Sequence, residues 1–165
     1  MAQEKLIFDS ENNQNLSDWE IENDVVMGGV SQSSIQINEE GNAVFSGEIS
    51  LENNGGFASV GHKTTIKEVQ NYEYVNLKVK GKPSTYNFRI KKSWRDRESY
   101  TQDFEVTSEW NTVRLKLSSF YPRYRGRNLN LPNFNADVIE KVGILIGNKK
   151  EEAFQLEIDK IYLSN

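Results

Sequence analysis

Residues 74–90 read YVNLKVKGKPSTYNFRI, two runs in which every second side chain is apolar, joined by Gly-Lys-Pro. Val75, Leu77 and Val79 share one face of the first run, and Tyr86, Phe88 and Ile90 share one face of the second. A period of two puts successive side chains on opposite faces of an extended chain, so each run is a strand with one face for a core and one for solvent. The pattern recurs in Phe104 and Val106, and again in Val113, Leu115 and Leu117. Eleven such runs can be marked, at 6–9, 19–22, 34–38, 43–51, 57–64, 74–81, 85–92, 100–107, 111–119, 142–148 and 154–163. Short strands separated by turn residues predict an all-β chain folded as a β-sandwich or jelly roll.

Two stretches break the simple alternation. In NADVIEKV (135–142), Asn135 can cap and Val138, Ile139 and Val142 have helical spacing, which predicts one short helix. In the last run Phe154, Leu156 and Ile158 keep one parity while Ile161 and Leu163 keep the other. That switch predicts a bulge near Asp159–Lys160, or a strand buried on both faces.

A chain of 165 residues has the length of one domain, 1–165. No apolar run approaches the ~18 residues a membrane helix needs, and the opening MAQEKLIFDS carries neither a secretory nor a mitochondrial targeting pattern. The expectation is a cytoplasmic protein without a transmembrane segment. The absence of cysteine excludes disulfides, thiolate catalysis and cysteine-held zinc. His62 is the only histidine, so a multi-histidine metal site is excluded, and it stands in the strand-like run FASVGHKT with no nucleophile elbow around any serine. No enzyme, metal or cofactor is therefore expected. Glu157 and Asp159, two residues apart, hint at a structural calcium ion but lack the loop oxygens that would complete its shell.

Two glycine pairs stand out, in NDVVMGGVSQSS (23–34) and SLENNGGFASV (50–60). A phosphate-cradling loop leads into a helix whose N-terminal amides meet the anion, and both pairs here lead into strands. They read instead as scaffolding, comprising Asp24, Gly28 and Gly29 in the first motif and Asn54, Gly55, Gly56 and Phe57 in the second. The glycines supply positive φ or close backbone approach. Asp24 and Asn54 fix turns by accepting backbone N–H groups, and Met27 and Phe57 serve as core plugs.

The segments WEIENDVVMGGVSQS, VFSGEISLENNGGFASV, WNTVRLKLSSFYPRYRGR and FQLEIDKI resemble the complex I intermediate-associated protein 30 family. The likeness runs from about Trp19 to Ile161. It implies a galactose-binding-like β-sandwich, the jelly roll shared with many carbohydrate-binding modules. It also implies kinship with mitochondrial assembly factors of respiratory NADH:ubiquinone oxidoreductase. The chain departs from the family at Gly61-His62-Lys63, at Gly81-Lys82-Pro83-Ser84, and at Glu151-Glu152-Ala153 before the final strand.

The net charge of −4 hides a basic island, since residues 82–127 carry a charge of +6 and the remainder −10. Within the island, KKSWRDRESY (91–100) and YPRYRGR (121–127) read as loops at strand ends. Loops of a sandwich commonly carry its binding residues, and aromatic and guanidinium groups together suit stacking or a protein hot spot. Trp94, Arg95, Tyr121, Arg123, Tyr124 and Arg125 are the candidate binding residues. The leading expectation is a non-enzymatic module that binds a protein partner, in the manner of an assembly factor for complex I or another complex. A carbohydrate-binding module is the alternative and a single-stranded nucleic-acid binder the third, not favoured.

Overall fold

A computed structural model describes residues 4–11, 16–23, 29, 31–52 and 56–165. Their strands are β1 (Glu4–Asp9), β2 (Trp19–Asn23), β3 (Gln32–Ile37), β4 (Ala43–Ile49), β5 (Ala58–Lys67), β6 (Tyr74–Gly81) and β7 (Ser84–Lys91). After these come β8 (Ser99–Val106), β9 (Asn111–Lys116), β10 (Tyr121–Tyr124), β11 (Arg127–Asn128), β12 (Val138–Ile146) and β13 (Glu152–Ser164). One sheet has the order β3-β4-β13-β6-β9, with β1 also on β13, and the other the order β11-β10-β8-β7-β12-β5-β2. Every pairing is antiparallel. No helix among the described residues is long and apolar enough to cross a membrane.

The core is built from the alternation expected. Val75, Leu77, Val79, Tyr86, Phe88 and Ile90 are all at most 1% exposed. Burying such side chains contributes about 1.5–3 kcal/mol each before chain entropy is subtracted. Aromatic contacts tie the two sheets together: Phe8 of β1 meets Trp19 of β2 edge to face at 5.1 Å, and Tyr86 of β7 meets Phe154 of β13 at 6.5 Å. The expected bulge in the last strand is present, because the register of β13 on β6 shifts between Ile158 and Lys160. That extra residue lets Phe154, Leu156, Ile158, Ile161 and Leu163 all be buried despite their change of parity.

The helix expected at 135–142 does not form, and Val138–Ile146 is a strand instead. Ile139 and Val142 are both buried because the register of β12 on β5 shifts between Ile139 and Lys141. The extra residue lies in β5, where Lys63 and Ile66 are three positions apart opposite positions two apart in β12, and the buried positions of β12 on either side are left with a three-residue step that imitates a helix. The stretch 121–127 is likewise a hairpin and not a loop, with Tyr124 opposite Arg127 and a two-residue turn at Arg125 and Gly126. Both turn residues have positive φ, 50° and 78°, as the tight turn that matches strand twist requires.

Candidate binding site

The outer face of the seven-stranded sheet carries an open trough of about 800 Å³. Strand register explains its shape. Glu20, Gly61, Gly143, Arg89, Thr101 and Tyr121 stand opposite one another in successive strands, so they form one row across the sheet. Two glycines stand in the middle of this row, flanked by Glu20 at one end and Arg89 at the other; the Lys141 and Glu22 side chains cross over Gly61, while at Gly143 no side chain among the described residues stands within 4 Å of where a Cβ would sit. The neighbouring row runs Lys63, Lys141 and Lys91. Ser99 and Arg123, paired across β8 and β10, continue this side of the trough. Phe57, Tyr124 and Arg125 stand at its margins.

Four basic side chains of the trough have a definable hold. Lys141 extends its Nζ to within 2.5 Å of Glu22 Oε1. Arg89 donates from Nε to Asn87 Oδ1 at 2.9 Å, and Asn87 donates in turn to Asp103 Oδ1 at 2.9 Å. Lys91 donates to the Asp96 carbonyl at 2.7 Å, and Arg123 donates from Nη2 to the Gly126 carbonyl at 2.7 Å. Burial lowers the pKa of Arg89, and the nearby Arg123 lowers it further. Burial and Lys141 do the same to Lys91.

The six candidate binding residues separate into two groups. Arg123, Tyr124 and Arg125 line the trough. Tyr121 stands in its central row beyond Thr101. The guanidinium groups of Arg97 and Arg125 lie 5.6 and 5.4 Å from the Tyr124 ring, so the segments 91–100 and 121–127 meet there. Trp94 and Arg95 lie outside the trough: Trp94 is 57% exposed, the Arg95 guanidinium lies 5.0 Å from its ring, and its backbone N–H donates to Glu140. Of the glycine motifs, Asp24, Met27, Gly28, Asn54 and Gly55 lie outside the described residues. Gly29 is buried. Gly56 has φ +126°, a backbone state that disfavours any side chain. Phe57 is half-buried at the trough margin and does not belong to the core cluster.

Sequence reading missed Arg89, Lys141, Gly61, Gly143, Glu20 and Glu22 as one constellation. The signal was present as parity: Arg89 and Lys91 alternate with the buried Phe88 and Ile90, and Gly143 alternates with the buried Val142 and Ile144. What could not be read was the order of strands that aligns them. Glu157 and Asp159 lie elsewhere. Lys80 stands 3.9 Å from Glu157 and Lys78 3.4 Å from Asp159, and Asn42 donates to Glu157 at 2.7 Å. Among the described residues no group of three or more histidine, aspartate or glutamate side chains could hold a metal.

Two antiparallel sheets packed as a galactose-binding-like jelly roll, with a trough across one outer face, define a class of fold built like carbohydrate-binding modules. The chain belongs to the complex I intermediate-associated protein 30 family, whose model matches residues 8–158. Its fold is similar to that of a family 11 carbohydrate-binding module from Clostridium thermocellum in complex with a β-1,3-1,4-mixed-linked tetrasaccharide, with TM-score 0.71 and 20% identity over 97% of this chain and 94% of that one. A second structure of a family 11 module, from a cellulosomal cellulase of Clostridium thermocellum, gives TM-score 0.72 and 20% identity over 98% and 94%. A family 29 carbohydrate-binding module complexed with cellulohexaose gives 0.59 and 9% over 99% and 91%. No curated protein matches the chain.

Proposed function

We propose that the chain is a non-catalytic binding module, acting as one domain over 1–165, and that it takes a glycan chain in the trough of the seven-stranded sheet. The observation that carries this reading is the open floor at Gly143, over which no side chain of the described residues stands, between charged walls. A volume of about 800 Å³ is within the range of small-ligand sites. An open trough admits the middle of a chain as well as its end. Carboxylates and guanidinium groups along its walls suit sugar hydroxyls, and Tyr124 offers a face on which a ring can stack. The jelly-roll relatives that carry oligosaccharides support the same reading by fold alone.

The second reading, an assembly module that binds a protein partner, is favoured by the family's description and by the exposed Trp94–Arg95 pair outside the trough. Titration calorimetry against a panel of neutral and acidic oligosaccharides tests the first reading. Saturable binding that is lost in Gly143→Leu, with the fold retained, is the expected result. If no oligosaccharide binds, while Trp94→Ala abolishes capture of a protein partner, the glycan reading fails in favour of the second.

A further inference from the structure

Charges in the trough are unequally matched. Six cations reach it, namely Arg89, Lys91, Arg97, Arg123, Arg125 and Lys141. Of these six, only Lys141 is held by an ion pair among the described residues, to Glu22. The protein's side-chain acceptors engage Arg89 through Nε alone, which leaves its two terminal nitrogens for another partner. Arg123 uses Nη2 on the Gly126 carbonyl, and its Nε is buried with no acceptor. A buried donor without an acceptor, and a guanidinium group, Arg89, lying close enough to Arg123 for its pKa to be lowered, both carry a free-energy cost. A bound oxyanion would remove both costs at once, since planar guanidinium forks match a carboxylate or sulfate with charge-assisted hydrogen bonds. The hairpin turn points the same way: Arg125 holds φ 50° at a position where asparagine or glycine sits with less strain, and its guanidinium stays over Tyr124 at the trough margin.

The opposite end of the trough decides what kind of anion fits. Glu20 and Glu22 stand at the β2 end of the rows that hold Arg89 and Leu145. The strands from β2 to β7 span about 14 Å at the usual strand spacing. A nucleic acid or a polyanionic peptide laid across them would bring negative charge onto these carboxylates. A chain with charge at one end and hydroxyls at the other meets complementary groups along its length. Resting on the glycan reading above, we propose that the trough selects a glycan bearing an oxyanion, a uronate carboxylate or a sulfate ester, seated between Arg89 and Arg123. Its neutral units run over Gly143 and then over the Lys141–Glu22 pair, which covers Gly61, toward Glu20.

Calorimetry on the intact chain with five probes tests this: a neutral mixed-linked β-glucan tetrasaccharide, a galacturonate tetrasaccharide, a sulfated galactan tetrasaccharide, an oligothymidylate and a polyglutamate peptide. One acidic oligosaccharide is expected to bind at least tenfold more tightly than the neutral one, and which one does so tells carboxylate from sulfate. Arg123→Gln is expected to weaken that binding at least tenfold. Arg97→Gln, which lies outside the strands, serves as a second variant should Arg123→Gln loosen the hairpin, with a thermal melt to show that each is folded. If the neutral tetrasaccharide binds as tightly and neither variant weakens it, the anion preference is wrong while the glycan reading stands. Binding only to oligothymidylate or polyglutamate, or to none of the five, overturns both.

Discussion

Lys141 and Glu22 meet across an intervening strand, Nζ to Oε1 at 2.5 Å, by lying over Gly61. A Cβ at Gly61 would fall 2.5 Å from the Lys141 Cε and 2.9 Å from the Glu22 carboxylate. This glycine is thus explained by a side-chain crossing over it, with no turn or positive φ involved. The pair also neutralises one of the cations that crowd the trough.

Gly61→Ala and Glu22→Gln should each lower stability by less than about 1 kcal/mol, the usual worth of a partly exposed ion pair. Because both act on one bridge, the double variant should lose little more than the worse single one. Urea denaturation of the four proteins measures this. Fully additive losses would show that the methyl group acts through something other than the bridge.

His62 is 4% exposed, its ring 4.7 Å from Trp19 and 5.7 Å from Phe8, and neither ring nitrogen has a hydrogen-bond partner among the described residues. Burial lowers its pKa from the ordinary 6.5, with Asp18 opposing in part. The unfolded chain therefore takes up this proton before the native one does. The contribution to stability is complete above pH 6.5 and falls as the pH drops from there through the lowered native value. Urea midpoints should decline between pH 7.5 and pH 5.5 in the natural chain, and more shallowly in His62→Leu. Parallel pH profiles for the two proteins would refute the assignment.

The Tyr86 hydroxyl is buried without an acceptor among the described residues. Burial and the Glu152 carboxylate raise its pKa, which keeps it protonated. Tyr86→Phe removes a polar group that has no partner and leaves the ring contacts with Phe104 and Phe154 in place. Stability should be unchanged or higher by up to about 1 kcal/mol. A clear loss in a thermal melt would mean that the hydroxyl has a partner after all.

Asp159 and Glu157 are engaged by Lys78 and Lys80 at 3.4 and 3.9 Å, which sets a like charge where a calcium ion would need to sit. Treatment with a chelator should leave the melting temperature unchanged, and added calcium should not raise it. A rise of several degrees on adding calcium would show that the lysines give way to the ion.

The strands were legible because each carries its own core face: Val75, Leu77 and Val79 need no knowledge of what they pack against. The bulge in β13 was legible too, since an inserted residue is the simplest way for one long run to change parity and still bury both halves. The irregularity between β12 and β5 was not. It leaves Ile139 and Val142, three positions apart, both buried, and a three-residue step read locally is a helix. The hairpin at 121–127 was hidden because Pro122 and the arginines lack strand character, and its pairing with β8 is supplied from elsewhere in the chain. The trough was the least legible feature. Its central row draws one residue from each of six strands, and the neighbours Gly61 and Gly143 are 82 positions apart. Trp94 and Arg95, flanked in sequence by the trough residues Lys91 and Arg97, do not line it.

β13 changes neighbours along its length, pairing with β4 through Ile158 and then with β1 from Lys160 to Ser164. Glu4 thus stands directly opposite Ser164, and whatever chain lies beyond each of them leaves the sandwich at one point. A domain anchored this way can be spliced into a loop of a host protein without parting the host's own ends. Tension applied through those two connections would open the β1–β13 ladder one rung at a time, as a zip opens, because the load falls on the outermost pair and is not shared along the strand. The sandwich is therefore weak as a link in a tethered chain.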